Sequence, residues 1–586
     1  MSVLFATICV IFATLLKYYT MKSFSYSFVL LFVSFFSFAQ KHDFVPPVKI
    51  PLILNGNFGE LRLNHFHGGI DIKTNGTTGI PIYSIADGYV SRISVSSSGY
   101  GNALYVTHTS GYTSVYAHLE KFLPVIAEWV KDQQYSKEEF EVNLFPGWGR
   151  FSVKKGEEIA RSGNSGSSGG PHLHFEIRET DSEHPTNPLS YGFKIKDTSK
   201  PVASNLYVYP VSEKSHVQKS FKKQRFELVY FNGAYRPKGQ VSISGWNKLG
   251  FGIDAVDYLD GNWSKCGIFK MELHVDSLLI NSFEMDELDF GKMRFINSHI
   301  DYDEFMRSGK KIHKTFIDPG NKLGIYKKTK NRGVFDFDDG KKHEVLIVIS
   351  DIAGNSSKII FNINSTEEIP VPQDVYTKLF EYDSENSFEN DEVELDIPEG
   401  ALFSNLKFNY KKTPSIANTY SNIHKLQDKY TPLYKSVDVK VKPISLPERL
   451  QDKALLAVVD LSSGSFSSIG GGYSFGWVKA STRAFGNVCV VVDTVAPSIT
   501  PLSIKEKKTL MEPGQIRFKI KDKLSGIKKY AGFIDDKWVL FELDDKSSVI
   551  KYKFDEHITK GKQHKIKLSV EDHKQNINVY EASFYY

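Results

Sequence analysis

The run Gly163-Asn-Ser-Gly-Ser-Ser-Gly-Gly-Pro-His172-Leu-His174-Phe-Glu176 constrains this chain more than any other. A Gly/Ser loop ends at Pro171, and the His-Leu-His-Phe-Glu-Ile that follows alternates with the period of a strand. On a strand, residues i and i+2 share a face, so His172 and His174 project together while Leu173 and Phe175 turn to the core. Two imidazoles on one face suit an arrangement in which one holds a metal and the other works on what the metal holds. A lone His-x-His pair is just as often an accident of surface or core.

Two upstream stretches change the balance. Arg62-Leu-Asn-His65-Phe-His67-Gly-Gly-Ile-Asp71 supplies a His and an Asp four apart, with Gly68 and Gly69 letting backbone pass close to a ligand. Ser114-Val-Tyr-Ala-His118-Leu reads as a short strand ending in a His. Hydrolytic zinc sites typically use three N/O ligands and leave the fourth position to water.

In order along the chain, His67-x-x-x-Asp71, Tyr-x-His118 and Gly-Pro-His172-x-His174 resemble the motifs of the lysostaphin/LytM-type zinc metallopeptidases. Gly99-Tyr-Gly-Asn102, Gly111-Tyr112, Val153-Lys-Lys-Gly156-Glu and Gly163-Asn-Ser-Gly166 match as well, so the resemblance covers residues 55–190. It implies a compact, mainly antiparallel β fold with a groove over Zn2+, and cleavage of peptide bonds in bacterial peptidoglycan. It also implies His67, Asp71 and His174 as metal ligands and His118 and His172 as the catalytic pair facing the water. One of that pair would be the general base, and the other would stabilise the oxyanion or protonate the amine. The sequence does not divide those roles. His65 lines the groove on this reading, His108 is an ordinary surface or core residue, and Glu176 either orients an imidazole or is a solvated charge. The alternative function is a non-catalytic peptidoglycan-binding or regulatory envelope protein of the same fold.

At 586 residues the chain is too long for one core. Its 41% hydrophobic and 13% aromatic content suits folded β-rich domains. The expected class is mainly β: a peptidase-like domain followed by Ig-like β-sandwiches. The expected segments are a leader (1–39), the peptidase-like domain (40–195), a sandwich (196–365), a dissimilar β-rich region (366–493) and a second sandwich (494–586). A fragment of 40–195 would then hold every group the chemistry needs, provided the sandwiches do not complete its core.

The two sandwiches are inferred from an internal repeat. Gly340-Lys-Lys-His343 through Asp351-Ile-Ala-Gly-Asn355 matches Gly561-Lys-Gln-His564 through Asp572-His-Lys-Gln-Asn576 in unbroken register. Asp257-Tyr-Leu-Asp-Gly261 and Asp522-Lys-Leu-Ser-Gly526 correspond upstream, and His343 and His564 read as structural equivalents rather than ligands. Within the peptidase-like segment, 124–150 is an insertion. A helix starts at Pro124, Ser136-Lys-Glu-Glu139 has the form of a capping box opening a second helix, and the stretch 140–145 alternates. The insertion is either a wall or lid on the groove or a surface decoration.

Three cysteines give no disulfide framework, because Cys9 lies in the N-terminal apolar run and Cys266 and Cys489 are far apart. The net charge is +5, and Lys17 and Lys22 are the only charges in 1–39, so cleavage there leaves 5 − 2 = +3, near neutral for this length and no argument for nucleic acid; none is expected as a partner. Met21-Lys22, an apolar run and Ser37-Phe38-Ala39 before Gln40 fit an export signal, with an uncleaved anchor as the alternative. The expected location is the periplasm, the cell envelope or the exterior. The expected partners are peptidoglycan peptides and, through the sandwiches, envelope proteins.

Overall fold

The strand period read around His172 recurs throughout the described residues. The structure, a computed structural model, describes residues 43–504 and 514–586, so the expected leader lies outside the described residues. Among those described, no helix is long and apolar enough to cross a membrane.

The N-terminal domain is built on one antiparallel sheet. Its strands run in the order Leu54–Gly56, Ile70–Lys73, His172–Glu179, Tyr112–Ala117, Ala103–His108, Gly88–Val95 and Val142–Leu144. A second sheet of Pro81–Tyr83, Glu158–Ser162 and Leu119–Phe122 lies in the same domain. Leu173, Phe175 and Ile177 are fully buried and join Ile70, Ile72 and Tyr116 in the core. The opposite face of that strand carries His172, His174, Glu176 and Arg178 and is nearly as buried. Alternation there separates an apolar core from a polar site rather than a core from solvent.

The insertion forms one helix, Pro124–Lys137, followed by the strand Val142–Leu144. The expected second helix does not open at Ser136. The helix already running continues through that residue and ends at Glu138, whose left-handed conformation lets its N–H cap the final carbonyls. The outer face of the helix docks on the C-terminal domain: Tyr135 stacks on His557 at 3.9 Å and donates to Asp555 at 2.7 Å, and Lys131 pairs with Glu556 at 2.8 Å.

The first β domain contains twelve strands joined by pairing into one mixed sheet. Its long strand Ile243–Val256 pairs with Val202–Pro210, Ile312–Lys314 and Phe335–Phe337, and in parallel with Ser356–Ser365. Two five-stranded sheets follow, and the C-terminal domain stacks two four-stranded sheets over Phe518, Ile566 and Leu568. The repeat is a pair of equivalent hairpins. Asn355 Nδ2 donates to Asp351 Oδ2 at 2.7 Å, and Asn576 Nδ2 donates to Asp572 Oδ2 at 2.7 Å. His343 Nδ1 donates to Asp276 at 2.6 Å and His564 Nδ1 to Asp535 at 2.8 Å, each bridging to a neighbouring turn.

The cores cross the expected boundary at 195. Phe58, Leu61 and Phe66 pack with Ile268, Met285, Met293 and Ile296 in the core of the first β domain. Leu259 and Cys266 pack in return with the core of the N-terminal domain. Cys266 and Cys489 are both free and buried.

Candidate metal centre

Strand register assembles the centre. His174 stands opposite Asp71 on one neighbouring strand and opposite Ala117 on the other, so His118 arrives one residue past the second pairing. His118 is left-handed, with φ of 59°, a conformation that costs a side-chain-bearing residue about 1–2 kcal/mol and marks a turn held by its surroundings. Its N–H donates to Tyr100 O at 2.9 Å and the next N–H to Asn102 O at 3.0 Å, which fixes that turn. His67 enters from the loop before Ile70–Lys73. A Cβ on Gly69 would lie 2.3 Å from Phe175 O, so only glycine lets this loop lie against the His172–Glu179 strand.

His67 Nε2, Asp71 Oδ1 and His174 Nδ1 converge. The separations are 3.0 Å between the two nitrogens, 3.0 Å from His67 Nε2 to Asp71 and 2.9 Å from His174 Nδ1 to Asp71. The backs of the rings determine what faces inward. His67 Nδ1 lies 2.8 Å from Asn57 O, which can only accept, so Nδ1 carries the hydrogen. His174 Nε2 donates to Glu176 Oε1 at 2.8 Å. Two imidazole lone pairs and a carboxylate oxygen therefore face one another, an arrangement that needs a cation among them. N₂O is a zinc donor set, and the carbonyl and carboxylate behind the rings are the supports such ligands use. Arg62 Nη2 donates to Asp71 Oδ2 at 2.6 Å, which leaves Oδ1 for the centre.

A proton on His174 Nδ1, donated to Asp71 Oδ1, can take the place of that cation. Burial disfavours charge on His174, but hydrogen bonds to Asp71 and Glu176 outweigh it and push the imidazole up to about 9. Burial likewise opposes ionisation of Asp71, yet attraction to His67 and hydrogen bonds from His172 and His174 hold its carboxyl well below the usual range. Glu176, fully buried, is held down at about 2 because Arg178 and His174 outweigh its desolvation. Arg178 Nε donates to Glu176 Oε2 at 2.6 Å, and the Tyr100 hydroxyl donates to Oε1 at 2.6 Å. Phe290 of the first β domain covers the Arg178 guanidinium at 4.4 Å.

His118 and His172 border the same space, with ring centroids 4.8 Å apart. Each is tied at Nδ1 to a backbone carbonyl: His118 to Ser165 at 2.9 Å and His172 to Gly170 at 2.8 Å. Each therefore presents Nε2 to the site, and that of His172 lies 3.4 Å from Asp71 Oδ1. The Gly/Ser loop that orients both is held in turn by the C-terminal domain, where Lys546 Nζ donates to Asn164 O at 2.5 Å and Ser168 O at 3.2 Å.

All five expected residues thus meet. His65 is exposed and bonds within its own loop, and His108 is buried elsewhere against Ser114. The supports Asn57, Tyr100, Arg62 and Arg178 were assigned no role from sequence. Arg178 was legible, since it continues the i, i+2 face of His174 and Glu176, whereas Asn57 carries no local signal.

Residues 65–135 and 150–188 match Peptidase family M23. The N-terminal domain is an M23 peptidase domain. The gap in the match falls within the insertion, and residues 377–493 match a Zu5-like domain. The chain is 34% identical over 138 residues to an uncharacterized metalloprotease of Haemophilus influenzae, covering 24% of this chain and 23% of that protein. It is 38% identical over 112 residues to the peptidoglycan DD-endopeptidase ShyB of Vibrio cholerae, covering 19% and 20%. It is 35% identical over 123 residues to the murein hydrolase activator NlpD of Salmonella dublin, covering 21% and 25%. The matches thus span no more than a quarter of these relatives' length.

Proposed function

We propose that this protein is an exported, zinc-dependent endopeptidase that hydrolyses peptide cross-links of bacterial peptidoglycan. The observation that carries the proposal is the convergence of three donors, each supported from behind, with two further imidazoles turning Nε2 to the same space.

His67, Asp71 and His174 would hold zinc. What zinc supplies when bound is Lewis acidity, towards the scissile carbonyl and towards a water whose pKa drops to about 7. The chain does the rest. Asn57 and Glu176 keep the ligand imidazoles in the tautomer whose lone pair faces inward. One of His118 and His172 takes the proton from the attacking water. The other donates to the developing oxyanion or protonates the departing amine.

The test is digestion of cross-linked muropeptides by the zinc-loaded full chain, followed by separation of the products. Conversion of dimers to monomers is expected, and intact cross-links would reject the proposal. A non-catalytic regulator is the second reading, favoured by the likeness to a murein hydrolase activator. It predicts binding to sacculi without cleavage, and it gives no reason for His118 and His172 to be oriented alike.

A further inference from the structure

A second cluster of donors lies where the first β domain meets the peptidase domain. Asp197 belongs to the connector between them, Asp257 follows the long strand Ile243–Val256, and Asp351 opens the hairpin turn after Lys342–Ser350. One oxygen from each lies within 4.8 Å of the others. Asp257 is 2% exposed and Asp351 4%. None of the three forms an ion pair with a lysine or arginine among the described residues.

Their hydrogen bonds do not compensate this charge. Asp351 accepts from Asn355 N at 2.8 Å and Asn355 Nδ2 at 2.7 Å, and Asp197 accepts from Ser199 N at 3.1 Å. Asp257 Oδ1 is buried with no hydrogen-bond partner. A buried carboxylate oxygen without a donor is costly and calls for a cation or a proton. Burial together with Asp351 and Asp197 pushes Asp257 up to about 7.

The C-terminal domain supplies an internal control. Asp493, Asp522 and Asp572 form the equivalent cluster. There, backbone N–H groups of Val495, Ser525, Leu524 and Gly526 serve Asp493 and Asp522 at 2.8–3.1 Å. Lys574 stands two residues after Asp572 and its charge couples to Asp493, whereas the corresponding position after Asp351 is Ala353. The second copy has more donors and a lysine beside it, whereas Asp257 of the first has the Tyr258 N–H and an Oδ1 without a partner.

We infer that Asp197, Asp257 and Asp351 bind a hard divalent cation of the calcium class. Carboxylate oxygens alone favour calcium, magnesium or manganese over zinc. The cation fastens the start of the strap 257–267 to the connector at Asp197 and to the hairpin turn at Asp351. Along that strap, Asn262 donates to Leu54 O and accepts from Lys73 Nζ at 2.7 Å. Asn57 exchanges two 2.7 Å hydrogen bonds with Gly267, and the Asn57 carbonyl is the group that orients His67. The cation thus steadies one support of the metal centre from outside it.

The test titrates calcium chloride into the zinc-loaded full chain by calorimetry, with hydrogen exchange followed in parallel. One equivalent is expected to bind, slowing amide exchange in 194–201, 257–267 and 351–355. Asp257→Asn should weaken binding by about 10-fold or more while keeping zinc, and Asp522→Asn should leave it unchanged. No uptake of calcium by the wild type, or uptake that leaves exchange in those segments unchanged, overturns the inference. Both of these readouts come from the wild type, so the conclusion stands whether or not a variant folds. Neither depends on catalysis, so an inactive protein that binds calcium sinks the peptidase proposal and not this one.

Discussion

Asp71 divides its two oxygens between two tasks, Oδ1 towards the imidazoles and Oδ2 towards Arg62. On the proposed roles, ligands and catalysts separate by mutation. His174→Ala or Asp71→Ala should abolish most zinc binding, because two donors remain where three are needed. Full occupancy by metal analysis would refute the ligand set. His118→Ala and His172→Ala should keep zinc and lose hydrolysis by about 10²-fold or more, the usual contribution of an acid or base. Glu176→Gln tests the support behind His174. It keeps a side chain of the same shape but loses the charge, and zinc affinity should fall by about 10–100-fold, read by competition with a chelator.

At the scale of elements, the site depends on register. A one-residue slip of His172–Glu179 would turn both histidines into the core, and the pairing His174↔Asp71 and His174↔Ala117 prevents it. The repeated hairpins show the same logic without catalysis. His343 is tied to Asp276 and Asp339; burial opposes its charge, but the two carboxylates outweigh burial and raise its pKa above the usual value. A raised histidine contributes stability that is fully present below the unfolded pKa of about 6.5 and is lost as pH rises through the folded value. The difference in urea midpoint between the wild type and His343→Gln should therefore be larger near about pH 5.5 than near about pH 8.5. A difference that grows with pH would mean the histidine is neutral in the folded protein.

On the scale of the whole molecule, the β domains do more than carry the peptidase. Phe58, Leu61 and Phe66 lie in the core of the first β domain, and Phe290 from that domain covers Arg178 behind the centre. A fragment ending at 195 would expose those three side chains. It should fail to give a cooperative thermal transition, and Phe66→Ala in the full chain should cost about 3–5 kcal/mol in denaturant unfolding. The C-terminal domain holds the Gly/Ser loop of the site through Lys546 and separately packs on the insertion helix. Lys546→Ala should keep zinc and lower turnover on soluble muropeptides by less than about 10²-fold, the scale of a slightly misplaced catalytic group. Unchanged turnover would return the C-terminal domain to an accessory role.

The candidate site was legible in the sequence because short-range patterns carry it. His-Leu-His-Phe-Glu fixes a strand and its two faces, and His67, Asp71 and His118 keep fixed distances from glycines and strand ends. The repeated hairpin was legible for the same reason, since Asp351 and Asn355 close a local turn. Only the tertiary structure decided the rest. Which core receives Phe66, which surface the insertion helix covers, and which backbone carbonyl orients His67 all join residues far apart in the chain, and no local period records such a pairing. Asp197, Asp257 and Asp351 belong with these: each reads alone as a turn residue, and the fold makes them one uncompensated cluster.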